Sequence, residues 1–146
     1  MKKIFLGALC LLLCLGVSAK APVKIACVGN SITYGYTIEN RERDSYPAQL
    51  QRMLGEGYTV GNFGKSGATL LNKGHRPYMK QEEFQKALAF AGDIVVIHLG
   101  INDTDPRNWP DYRDFFVRDY LALIDSFRVV NPDVRILVAR MTPISD

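Results

Sequence analysis

Apolar positions in this chain gather into four short runs, separated by stretches whose apolar residues recur at helical spacing. Val23-Lys24-Ile25-Ala26-Cys27-Val28 is the first run and reads as a short buried strand. Tyr58-Thr59-Val60-Gly61-Asn62-Phe63 reads as a second. Asp93-Ile94-Val95-Val96-Ile97-His98-Leu99 is apolar at nearly every position, as expected of a third strand covered on both faces. Val134-Arg135-Ile136-Leu137-Val138-Ala139 is the fourth, apolar on both faces like an interior strand yet expected to form a sheet edge in 20–146, with apolar surface left open.

Between the first two runs, Tyr36 to Asp44 is polar and irregular. Ser45-Tyr46-Pro47 then opens a helix, with Ser45 as cap and proline tolerated in the first turn. Tyr46, Leu50, Met53 and Leu54 are spaced for its apolar face, and Gly55 and Gly57 end it. Phe84, Leu88 and Phe90 predict a second helix near residues 80–90. Pro110 is expected to start a long third helix with Tyr112, Phe116, Tyr120, Ile124 and Phe127 on one face. Arg113, Asp114, Arg118 and Asp119 should point elsewhere, and Asn131-Pro132 should stop it. Strands alternating with helices in this way predict an α/β fold: a parallel sheet with helices on both sides.

Residues 1–19 read as a processing segment rather than as part of this fold. Lys2 and Lys3 form a basic start, Ile4 to Val17 an apolar stretch, and Val17-Ser18-Ala19 a small-residue cleavage site. The apolar stretch is shorter than the roughly 20 residues of a spanning helix. No stable membrane anchor is therefore expected after cleavage. Leu9 before Cys10 and Leu13 before Cys14 argue against a lipoprotein signal. A secreted or periplasmic protein starting at Lys20 is expected. Without Lys2 and Lys3, the excess of 18 basic over 15 acidic residues falls from +3 to +1. No block of like charge occurs, so nothing points to nucleic acid. Hydrophobic content of 47% and charged content of 23% suit one soluble domain spanning 20–146. Cys27 is then the single remaining cysteine, a small core residue on a strand, with no intrachain disulfide open to it.

In a parallel sheet all strand exits lie on one edge, where open α/β sheets place their chemistry. Gly29-Asn30-Ser31 leaves the first strand, Gly64-Lys65-Ser66-Gly67 the second, and Gly100-Ile101-Asn102-Asp103 the third. Ser31 brings a hydroxyl nucleophile. Gly64 brings a backbone N–H that no side chain shields, and Asn102 an amide donor where aspartate would only accept. Donors fixed around a developing oxyanion are each worth roughly 3–4 kcal/mol of transition-state stabilisation.

These three blocks resemble the SGNH (or GDSL) hydrolases. Gly29-Asn30-Ser31 is similar to the family's Gly-Asp-Ser, Gly64 to the glycine of its second block, and Gly100-Ile101-Asn102-Asp103 to its Gly-x-Asn-Asp. The resemblance implies a flavodoxin-like three-layer α/β/α sandwich with strand order 2-1-3-4-5. It implies Ser31 as nucleophile, with the Ser31 N–H, Gly64 N–H and Asn102 side chain as oxyanion hole. No cofactor and no metal are implied. The run Asn102 to Trp109 looks like the branch with sialate O-acetylesterase-like and other carbohydrate esterases, so a carbohydrate ester is the expected substrate. Trp109 could stack on a sugar or merely pack. Arg76 or Arg107 could pair with a carboxylate or stay solvated.

Asn30 departs from the family's aspartate but keeps a side chain able to hydrogen-bond the turn. The family's closing Asp-x-x-His has no match: Asn72 stands three before His75, and Val95 three before His98. His98 reads as a core residue inside the third strand, and nothing positions His75. The stretch 20–146 thus reads as such a domain without its fifth strand and base, with little activity expected as given. A non-catalytic carbohydrate-binding remnant and a flavodoxin-like cofactor binder stay open beside it. A P-loop would need glycine where Thr59 stands, and an α/β-hydrolase elbow glycine where Thr33 stands.

Overall fold

The computed structural model describes residues 20–141. Four strands form one parallel sheet: β1 (Val23–Gly29), β2 (Tyr58–Gly64), β3 (Ile94–His98) and β4 (Arg135–Val138). Their order is β2-β1-β3-β4. In register, Gly29 at the end of β1 lies between Gly64 of β2 and His98 of β3. The expected α/β architecture and strand order are therefore present. The expected leader over residues 1–19 falls outside the described residues.

Side-chain alternation sorts β1 and β3 between two layers. Ala26, Val28, Val95 and Ile97 face one side, where they pack with Phe84 and Ala87 of α4 (Glu82–Phe90) and Leu123 and Phe127 of α5 (Phe116–Val130). Cys27 faces the other side, toward Tyr46 of α3 (Tyr46–Leu54). Burial pushes the Cys27 thiol up to about 11, as befits an inert core residue. Two four-residue helices connect β1 to α3: α1 (Ser31–Tyr34) and α2 (Arg41–Asp44). The second lies in the stretch expected to be irregular. Asn40 accounts for it, because its side chain accepts the Arg43 N–H and caps the turn.

Two expectations about faces need correction. Met53 is 83% exposed rather than inward. Its place in α3 is taken by Gln51, whose Nε2 donates to Tyr58 O at 3.0 Å and whose Oε1 accepts from Val60 N at 2.7 Å. Asp119 points inward and is 2% exposed, because it binds a loop backbone described below. The strand β4 is the sheet's outer strand among the described residues. Ile136 packs on the core, while Leu137 and Val138 are 49% and 53% exposed. The long helix begins at Phe116, not near Pro110. Residues 106–112 form turns instead, in which the Asp105 backbone oxygen accepts the Asn108 and Trp109 N–H groups and its Oδ1 the Arg107 N–H.

Candidate active site

Ser31 is the first residue of α1, directly after the exit of β1, and is half-buried. The turn is built by Asn30, whose side chain is 1% exposed and accepts the Ile32 N–H on Oδ1 at 3.0 Å. Asparagine therefore does serve the turn without adding charge beside the hydroxyl. Below the turn, Thr33 Oγ1 and Tyr46 OH are 3.2 Å apart and tie α1 to α3. Gly64 supports the turn from underneath. A Cβ there would lie 2.1 Å from Tyr34 N, so only glycine lets β2 pass this close.

That placement changes the reading of Gly64. It is buried, and its N–H already donates to Asn62 Oδ1 at 3.0 Å. Gly67 is different. It is half-exposed, has φ +76°, and its N–H has no hydrogen-bond partner among the described residues. The first glycine of Gly64-Lys65-Ser66-Gly67 is the floor of the site, and the second is the one with a free donor. Sequence alone could not separate two glycines three apart. The positive φ, which disfavours a side chain, is the distinguishing property.

Asn102 sits in a single turn, Ile101–Thr104, directly after β3. Its Nδ2 donates to Ala68 O at 2.9 Å, the carbonyl next to Gly67. An amide nitrogen carries two hydrogens, so a second remains. The Lys65 N–H bonds Gly29 O at 2.9 Å, carrying the β1–β2 ladder one residue past the sheet. The paired ends of β1 and β2 thus bring the Ser31 turn and the Gly67 loop to one edge, and the Asn102 side chain is bonded to the residue after Gly67.

Side chains from later in the chain fix the loop between Ala68 and Arg76. Asp103 is fully buried, and its carboxylate accepts the Leu70 N–H at 2.9 Å and the Leu71 N–H at 2.7 Å. Burial pushes its carboxyl above the usual range, and the two N–H bonds oppose that rise. Asp119 accepts the Asn72 N–H at 2.8 Å, and Asn108 Oδ1 the His75 N–H at 2.9 Å. Sequence reading missed these three. A buried polar residue on a turn or an amphipathic helix looks like a surface residue until its partner is known.

His75 is exposed, and it is positioned after all, by Asn108. His98 is the last residue of β3 and half-buried, closer to the edge than expected. Among the described residues neither histidine hydrogen-bonds Ser31. Arg107 is held by Asp105, with Nη2–Oδ2 at 2.7 Å, and Arg76 Nη1 donates to Ser66 O at 2.9 Å. Trp109 is 38% exposed and packs edge-on against Phe116 at 6.2 Å. A groove of 620 Å³ lined by Arg41, Arg43, Gln51, Arg52 and Asn62 lies on the β2 side, and includes none of Ser31, Gly67 and Asn102.

Comparison with known proteins bears on this edge. The model of the GDSL-like Lipase/Acylhydrolase family matches residues 27–146. A protein of Xylanibacter ruminicola named acetylxylan esterase is 50% identical over 106 residues, which cover 73% of this chain and 22% of that protein. Among solved structures, a family two carbohydrate esterase from Clostridium thermocellum, in complex with cellohexaose, is 24% identical with TM-score 0.64. The match covers 88% of this chain and 47% of that one. AlinE4, an SGNH-hydrolase family esterase, is 21% identical with TM-score 0.59, covering 86% of this chain and 64% of that one. At these identities the two structures speak for the fold.

Proposed function

The chain belongs to the GDSL-like lipase/acylhydrolase family, and on that premise we propose that its protein is a serine esterase that removes acetyl groups from a carbohydrate. The convergence of the Ser31 turn, the Gly67 loop and Asn102 on one sheet edge carries this reading. The relative named acetylxylan esterase supports the choice of substrate class.

Ser31 Oγ attacks the acyl carbonyl, forming a C–O bond and a tetrahedral oxyanion. Collapse of that intermediate expels the sugar hydroxyl, and water then releases acetate from the serine. The oxyanion is held by the Ser31 N–H, the second Asn102 Nδ2 hydrogen and the Gly67 N–H. We assign the last role to Gly67 in place of Gly64, whose N–H is committed to Asn62. The proton from Ser31 goes to a base in the family's Asp-x-x-His block, which neither His75 nor His98 matches in sequence.

Acetylated xylo-oligosaccharides and p-nitrophenyl acetate test the proposal in the natural protein. Ser31→Ala abolishes turnover, and Asn102→Ala slows it by about 10²–10³-fold with KM nearly unchanged. Full turnover by Ser31→Ala removes Ser31 from the mechanism. Affinity for the oligosaccharide without turnover replaces hydrolysis by carbohydrate binding. The leader read from residues 1–19 adds export to this proposal. N-terminal sequencing from the native host is expected to begin at Lys20, and an uncleaved chain in the cytoplasm would count against it.

A further inference from the structure

We propose that Asn108 is a positioning residue that sets where the Asn102 amide stands, a role that rests on the hydrolytic reading above. Asn108 is 0% exposed, unusual for a side chain that is mostly found in water. It accounts for its burial with a complete set of partners. Oδ1 accepts the His75 backbone N–H at 2.9 Å. Nδ2 donates to the Asn102 carbonyl at 2.9 Å and lies 3.0 Å from His75 Nδ1. The two backbone bonds fix the orientation of the amide, since a flip would set donor against donor and acceptor against acceptor. His75 Nδ1 lies 3.0 Å from Nδ2 and 3.3 Å from Oδ1, so the ring also rests against this amide.

Asn102 is consequently tied at both of its polar ends. Its side chain holds Ala68 O, and its main-chain carbonyl is held by Asn108. Through the His75 N–H, the same Asn108 amide fixes the far end of the loop that carries Gly67 and Ala68. Two of the three groups assigned to the oxyanion are therefore referenced to one buried amide that touches no substrate. Without it, the His75 N–H loses its partner and the Asn102 carbonyl keeps only the longer bond from the Asp105 N–H, 3.4 Å, so both segments are held less firmly. A displacement near 1 Å at a group that bonds the transition state costs about a hundredfold in rate.

The test compares Asn108→Ala and Asn108→Asp with wild type, alone and combined with Asn102→Ala, using p-nitrophenyl acetate. The expected result for each single variant is a kcat lower by about 10-fold or more with KM within about twofold, as for loss of an interaction made in the transition state. In the Asn102→Ala background the same changes are expected to cost clearly less than in wild type, because one of the two groups they act through is already gone. An unchanged kcat, or a cost that adds in full to that of Asn102→Ala, overturns the proposal. A second readout needs no activity. In a ¹H–¹⁵N spectrum, Asn108→Asp is expected to shift the Asn102 side-chain amide pair and the His75 amide while leaving the Gln51 side-chain signals in place. Unmoved Asn102 signals overturn the positioning role. An inactive wild type with moved signals overturns the hydrolytic reading alone.

Discussion

Gly64 has no space for even one methyl group. Its Cβ would overlap the backbone of the Ser31 turn, 2.1 Å from Tyr34 N and 2.6 Å from the Thr33 carbonyl carbon. These are main-chain atoms, which no rotamer change can move aside. Gly64→Ala is therefore expected to lift α1 from β2 and to destabilise the domain by about 1–3 kcal/mol or more. A lowered thermal midpoint, with an altered Ser31 amide signal, checks this. An unchanged midpoint would mean that β2 and the turn can separate at no cost. The same residue shows how far the sequence could be read. Glycine at the strand exit was legible, because the turn chemistry is local. Its task was not, because that depends on Tyr34, a contact no spacing rule supplies. Ser31 and Asn102 were legible for the opposite reason: each stands directly after a strand, and a parallel sheet alone delivers them to the same edge.

The strands were legible within about a residue at each end, since a β-branched run between turns has few other ways to fold. Helix faces were harder to read. In α3, Gln51 occupies the inward position that an apolar count gave to Met53. The amide does what a methionine could not, satisfying Tyr58 O and Val60 N along the outer side of β2. Those groups would otherwise be an open sheet edge, so α3 both covers the sheet and blunts its margin. In α5, Asp119, Leu123 and Phe127 share the buried stripe. An aspartate there contradicts binary patterning until its bond to the Asn72 N–H is seen. The late start of α5 was likewise hidden, because Pro110 is a good helix opener and only the turns over 106–112 show that it does not act as one here.

At the scale of the molecule, the site is a joint between pieces of chain that are far apart in sequence. The sheet orders the Ser31 turn, but the loop after β2 has little regular structure of its own. Its Leu70, Leu71 and Asn72 amides are bonded to Asp103 and Asp119, at separations of 33, 32 and 47 residues. Such partners do not exist for it until β3 is paired and α5 has docked. Long closures of this kind come late, because their entropy must be met before the contact rewards it. In pulsed hydrogen-exchange labelling during refolding, the Leu70 and Leu71 amides are expected to gain protection no earlier than those of β3, and the Asn72 amide no earlier than those of α5. Protection ahead of these elements would mean that the loop shapes itself. The strand edge thus sets like a mould that fills from the sheet outward, and the candidate surface hardens only once α5 has docked against the sheet.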